Sequence, residues 1–233
     1  MRFPDPLIPG RLVRRYKRFL ADVTLESGDL VTAHCANPGA MTGLNLPDTE
    51  VWLSPSRNPA RKLAYSWELA RVGDGLVGIN TAHPNGLVEE AIRDGRIAEV
   101  RGYETLRREV KYGKNSRVDM LLSDAAKPDC YVEVKNVHLM RQPGLAEFPD
   151  AVTKRGTKHL NELADMVAAG HRAVMVYLVQ REDCQQFTIA ADVDPDYAAA
   201  FKASTGRGVE AVCYRCSLTT DGIDVADALP IVV

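Results

Sequence analysis

Cys130-Tyr131-Val132-Glu133-Val134-Lys135, preceded by Arg117-Val118-Asp119, is the stretch whose reading decides the fold. Cys130 to Lys135 reads as a strand. Side chains alternate faces along a strand, so Glu133 and Lys135 point the same way. A glutamate and a lysine side by side are unusual on the inner half of a sheet. Asp119 comes 14 positions before Glu133, and on a neighbouring strand it would bring two carboxylates to one ammonium. Such a group can hold a hard cation and a water next to a phosphate. The alternative is an exposed Glu–Lys ladder on a solvated sheet face. Glu109-Val110-Lys111 is a second copy of the tripeptide, but no aspartate lies on a preceding strand of its unit. Asp129, in Pro128-Asp129, is too close to Glu133 to lie on a different strand. Asp150, in Pro149-Asp150, has no Glu-x-Lys after it and is expected to cap the helix starting near Thr153.

The elements around this stretch form an α/β pattern, α+β mixed in its order. Asn85 stands as N-cap of a helix over Gly86 to Asp94, and Gly95 takes the stop position. Strands follow at Thr105 to Tyr112, Arg117 to Leu122 and Cys130 to Val137, with a hairpin turn at Gly113-Lys114-Asn115. A longer helix spans about Thr153 to Ala169, with Leu160, Leu163, Ala164 and Val167 as its apolar stripe. Ala173 to Val179 is a continuous apolar run, as in a strand buried on both faces. Pro195 to Ser204 reads as helix and Val209 to Tyr214 as a last strand.

Upstream the character differs. Phe19, Ala21, Val23 and Leu25 alternate with polar residues, and Leu30 to Cys35 reads as the returning strand. Asn37-Pro38-Gly39 is a breaker. Val51 and Leu53 alternate again, and Ala64 to Val72 and Leu76 to Ile79 complete five or so short strands. Glycine turns between such strands suggest a small barrel. The expected boundary falls near Gly73 to Thr81, which gives domains 1–78 and 79–233.

Composition narrows the class. The chain has 233 residues, is 45% hydrophobic and 26% charged, and carries a net charge of −2. It is long enough for a full core, and a polyanion surface would have to be a local basic patch. No apolar run approaches the roughly 20 residues that span a membrane. Met1 to Pro6 lacks the apolar core of a signal peptide. Five cysteines, an odd number, do not form a disulfide framework. The lone Cys213-Tyr214-Arg215-Cys216 lacks a second ligand pair for zinc. A reduced, cytoplasmic protein with no membrane partner is expected.

A helix carrying Glu89-Glu90, a strand, the Asp119 strand, the Glu133 strand and then a helix is an order similar to the PD-(D/E)xK nuclease core. The wider chain resembles the sugar fermentation stimulation protein A family. The resemblance is carried by Arg14-Arg15-Tyr16-Lys17-Arg18-Phe19-Leu20-Ala21-Asp22-Val23, Asn37-Pro38-Gly39-Ala40-Met41 and Glu109-Val110-Lys111-Tyr112-Gly113. It continues through Ser116-Arg117-Val118-Asp119, Tyr131-Val132-Glu133-Val134-Lys135, Phe148-Pro149-Asp150-Ala151-Val152-Thr153, Arg155-Gly156 and Lys158-His159-Leu160. It implies an N-terminal OB-like β-barrel followed by a restriction-endonuclease-like domain, a mixed central sheet flanked by helices. It also implies DNA binding. Nuclease activity is an expectation from that fold, and fold alone does not establish turnover.

The candidate residues follow. Asp119 and Glu133 would bind Mg²⁺ or Mn²⁺, with Glu90 as a third ligand from the helix, preferred over Glu89 by the pattern match. Lys135 would orient the metal-bound water or stabilise charge on the phosphate. Arg155 and His159, four apart on one helix face, could contact phosphate, as could Arg117, which shares a strand face with Asp119. Each of these three could equally lie on a solvated face. Arg14, Arg15, Lys17 and Arg18, with Arg11 and the aromatics Tyr16, Phe19, Trp52, Tyr65 and Trp67, form a candidate nucleic-acid surface of the OB type. A solvated strand with core aromatics is the bland alternative. The expected activity is a metal-dependent DNA phosphodiesterase; the rivals are a non-catalytic DNA-binding regulator of carbohydrate genes and a direct sugar-responsive protein, for which no sugar-site signature is found.

Overall fold

The computed structural model describes residues 1–113 and 116–232. Lys114 and Asn115, the middle and end of the expected hairpin turn, lie outside the described residues.

Six strands open the chain: β1 (Ile8–Tyr16), β2 (Leu20–Leu25), β3 (Leu30–His34), β4 (Glu50–Pro55), β5 (Tyr65–Val72) and β6 (Gly75–Gly78). They are ordered β3-β2-β1-β4-β5-β6, and β3 also pairs with β5 through Ala33–Tyr65 and His34–Ser66. That last pairing closes five strands into a barrel, which leaves no long free edge. Alternation along β2 sends Ala21 and Val23 inward, where they join Leu12, Leu53 and Trp67. The indole Nε1–H of Trp67 donates to the Leu69 carbonyl at 2.9 Å, so this aromatic is a core residue. β1 is an addition to the sequence reading. Its Pro9-Gly10 pair and basic run hid a strand whose inward position is Leu12, 1% exposed.

The second unit runs α1 (Pro84–Arg93), a 3₁₀ turn (Ala98–Val100), β7 (Thr105–Tyr112), β8 (Ser116–Asp124) and β9 (Lys127–Val137). Then come β10 (Leu139–Gln142), β11 (Leu145–Phe148), α2 (Lys154–Ala168) and β12 (Arg172–Val179). β13 (Gln186–Ile189), α3 (Pro195–Gly206), β14 (Glu210–Thr219) and β15 (Gly222–Ala228) complete it. The main sheet is ordered β15-β14-β12-β9-β8-β7. Its centre, β9, β12 and β14, is parallel, and β7, β8 and β15 add antiparallel edges. β12 is buried on both faces as its apolar run requires: Val174, Val176 and Leu178 enter one core, and Ala173, Met175, Tyr177 and Val179 the other.

α1 lies on the first face and α2 with α3 on the second. The first core also takes in Trp52 and Leu69 from the barrel, so the two units share apolar packing. A small sheet, β10-β11-β13, flanks the second face. The chain start joins the second unit as well: the Met1 amine donates to the Ile223 carbonyl, and Arg2 bridges Gly222. Among the described residues no helix is long and apolar enough to cross a membrane. All five cysteines are buried free thiols.

Two caps differ from the sequence reading. α1 begins at Pro84 with His83 in the cap position and no side-chain cap bond; the Asn85 amide is used elsewhere. At α2 the cap is Thr153, whose hydroxyl accepts from Gly156 N–H at 3.1 Å. Asp150 instead accepts from Ala40 N–H at 3.0 Å, tying a barrel loop to the second unit.

Candidate metal and active centre

Strand register builds the centre. Met120 opposes Val132 and Leu121 opposes Tyr131, so the next pair along is Asp119 and Glu133. No ladder pair forms there. Asp119 Oδ2 accepts the Val134 N–H at 2.8 Å, a side chain standing where a strand partner would be. On the other side Arg108 pairs with Met120 and Val110 with Val118, and the intervening Glu109 is unpaired. Glu109 has φ 53°, a left-handed conformation that costs a non-glycine residue energy. The sheet is thus locally open around Asp119. The second copy of the tripeptide, Glu109 to Lys111, lies on the edge strand with both charged residues exposed. Asn85 closes the other flank of the aspartate, its Nδ2 donating to Asp119 Oδ1 at 2.8 Å.

Glu133 is 2% exposed. Its Oε1 receives Lys135 Nζ at 2.7 Å and the His159 Nδ1. Its Oε2 is buried without a partner among the described residues, and so is the Tyr112 hydroxyl. Such orphans are uncommon in folded chains. Burial pushes the Asp119 carboxyl above its ordinary value, and the Glu133 charge adds to this. For Glu133, burial acts upward, but contacts from His159 and Lys135 outweigh it and hold the carboxyl below its usual range. Tyr112 is pushed up by burial and by the charges of Glu133, Glu162 and Asp119. Two carboxylates crowded in a low-dielectric interior, one with an oxygen unpartnered among the described residues, suit a hard divalent cation. No group of three or more His, Cys, Asp and Glu side chains among the described residues is assembled as a metal cage. Water and phosphate oxygens would have to fill the remaining positions.

The structure brings Asp119, Glu133 and Lys135 together and separates others from them. Glu90, expected as a third ligand, is paired with the Met1 amine at 2.9 Å. Glu89 follows Asn85 by one turn and reaches Arg108 of β7 at 3.5 Å, so it, rather than Glu90, shares the Asp119-facing side. Adjacent helix positions differ by about 100°, and only the true start of α1 decides which one turns inward. His159, expected as a phosphate contact, is 3% exposed and packs against Glu133. Arg155 donates Nε–H to His159 Nε2 at 3.3 Å. Arg117 is exposed beside Lys111, Tyr112 and Gly113.

The barrel cations divide likewise. Arg14, Lys17 and Arg18 are exposed, Arg14 while pairing with Asp22 at 2.9 Å and lying over the Tyr16 ring. Arg15 is half-buried and donates to the carbonyls of Arg18, Asn37 and Gly39, which makes it a brace. Phe19 is 44% exposed and stacks on His34. Asn85 and Tyr112 escaped the sequence reading: one resembled a helix cap, the other a strand aromatic.

A family model for the SfsA N-terminal OB domain matches residues 13–79, and one for the Sugar fermentation stimulation protein RE domain matches 82–222. The chain belongs to the sugar fermentation stimulation protein family. It is 63% identical over 225 residues to a Sugar fermentation stimulation protein homolog of Rhodospirillum centenum, covering 97% of each chain. A homolog from Paramagnetospirillum magneticum is 60% identical over 229 residues, covering 98% of this chain and 97% of the relative. The solved structure of Pyrococcus furiosus SfsA in complex with Ca²⁺ superposes with a TM-score of 0.89 at 24% identity, covering 100% of both chains. The barrel followed by a mixed sheet with helices is therefore the family's fold.

Proposed function

We propose that this protein is a divalent-cation-dependent phosphodiesterase acting on nucleic acid, with DNA as the substrate and Mg²⁺ or Mn²⁺ as the cofactor. The observation that carries the reading is the free, buried Oε2 of Glu133 in register with Asp119, beside Lys135. A burial-raised aspartate beside an orphaned glutamate oxygen is a cost to the fold, and a cation relieves it. The Ca²⁺ bound by the Pyrococcus furiosus protein supports a divalent ion here.

Asp119 and Glu133 would hold the ion through carboxylate oxygens, with Glu133 Oε2 the readiest donor. When bound, it supplies Lewis-acid polarisation of the scissile phosphate and a water of lowered pKa. Asn85 and the Val134 N–H fix the Asp119 carboxylate by holding one oxygen each. Lys135, half-buried on Glu133, puts a positive charge beside the two carboxylates, suited to charge developing on phosphate oxygens. Arg117 and the exposed barrel cations Arg14, Lys17 and Arg18 would contact backbone phosphates, which fix position without reading sequence. The OB-type barrel supports this.

The test is incubation of plasmid and single-stranded DNA with Mn²⁺, wild type against Lys135→Ala. Cleavage reduced by roughly 10²–10³ in the variant is expected, the size of losing one charge-stabilising group. Cleavage that survives the substitution would come from a contaminant. A wild type that binds DNA without cutting it would leave the non-catalytic regulator of carbohydrate genes as the function.

A further inference from the structure

His159 is one of the most enclosed polar side chains of the second unit, 3% exposed, and both of its ring nitrogens are engaged. Arg155 Nε–H points at His159 Nε2, 3.3 Å away. A guanidinium only donates, so Nε2 must offer its lone pair. The ring proton then sits on Nδ1, and Nδ1–H donates to Glu133 Oε1. Lys135 Nζ approaches that same oxygen at 2.7 Å. Both donors fall on Oε1, and among the described residues Oε2 has no hydrogen-bond partner.

The helix is placed to keep this arrangement. Gly156, one turn ahead of His159, lies so close to Tyr197 and Thr153 that a Cβ would stand 2.9 Å from each. Tyr197 of α3 is in turn bonded to Tyr177 of β12, hydroxyl to hydroxyl at 2.6 Å, so the start of α2 packs on a residue tied to the sheet.

We propose that His159 is a positioning residue for the metal centre: its Nδ1–H fixes Glu133 Oε1 and so presents Oε2 to the cation, while Arg155 sets the tautomer. This rests on reading Asp119 and Glu133 as cation ligands. Donors behind a ligand carboxylate fix its rotamer, and their loss commonly lowers metal affinity by roughly 10- to 100-fold.

Two measurements test it. Nitrogen-15 NMR of the metal-free wild type reads the tautomer directly. Nδ1 protonated and Nε2 bare is expected; the reverse tautomer overturns the proposal. Mn²⁺ calorimetry then compares wild type, His159→Leu and His159→Asn, with folding checked by thermal melts. Asparagine can place an N–H near the Nδ1 position, and leucine cannot. Leucine should weaken Mn²⁺ by roughly 10- to 100-fold, with asparagine restoring most of the affinity. Leucine binding as tightly as wild type, or asparagine no better than leucine in folded protein, overturns the positioning role alone. A wild type that binds no Mn²⁺ removes the metal reading itself, and the positioning role with it.

Discussion

Asp119→Ala, studied with and without Mn²⁺, separates what Asp119 does for the fold from what it does for a ligand. In the metal-free protein the substitution removes the acceptor of Val134 N–H and of Asn85 Nδ2, each bonded at 2.8 Å. Asn85 is half-buried, and its amide can turn to water. The Val134 N–H lies between strands, and leaving it unpaired costs about 1–3 kcal/mol. Removing a carboxylate that burial and Glu133 both disfavour as a charge offsets part of this. The metal-free variant should therefore unfold within about 2 kcal/mol of wild type. Saturation changes the comparison. At Mn²⁺ near 100 times Kd, the wild type gains about 2.7 kcal/mol. For a chain of this size that raises Tm by roughly 5–11 °C. The variant should gain almost nothing. Thermal melts followed by circular dichroism, with urea titrations at each Mn²⁺ concentration, give both quantities. An equal Mn²⁺-induced rise in the two proteins would refute the assignment of Asp119 as a ligand.

Other consequences follow from the same geometry. His138 is buried between the units, with Gly78, Asn37 and Asn136 around its ring, and burial holds it down at about 4 against an ordinary 6.5. The unfolded chain takes up its proton first, so this stability is complete above pH 6.5 and is lost as pH falls toward 4, by about 3 kcal/mol; His138→Gln should flatten urea midpoints over that window, and an unchanged slope would contradict it. Charge reversal at Arg14, Lys17 and Arg18 together should lower the salt slope of DNA affinity by about one for each phosphate no longer neutralised, as read by fluorescence anisotropy across salt concentrations. Arg15→Ala should instead cost about 1–2 kcal/mol of stability in urea melts, because its guanidinium satisfies loop carbonyls. Glu90→Ala should leave the Mn²⁺ isotherm unchanged, and a tenfold loss would restore Glu90 to the metal centre.

Much of this architecture is legible in the chain, for physical reasons that differ by element. Strand alternation has a period of two, so Glu133 and Lys135 could be placed on one face without coordinates. The run from Ala173 to Val179 could only suit a strand covered on both sides. The helix is harder to phase: α1 begins at Pro84, which makes Asn85 an interior residue and hands Asp119 a partner that looked like a cap. His159 shows the same limit. Spacing put it on a face with Arg155, but whether that face met solvent or Glu133 depended on how α2 settles against the sheet, which Gly156 and Tyr197 decide. β1, β10, β11, β13 and β15 passed unread because they are short, polar or interrupted by Pro and Gly, and only their partners make them strands.

The most direct measurement is Mn²⁺ anomalous diffraction from crystals of the wild-type protein. The account predicts a single strong peak within coordination distance of both Glu133 Oε2 and an Asp119 oxygen, and its disappearance in Glu133→Gln. A well-ordered crystal grown with Mn²⁺ in excess that shows no density between those two side chains would contradict it.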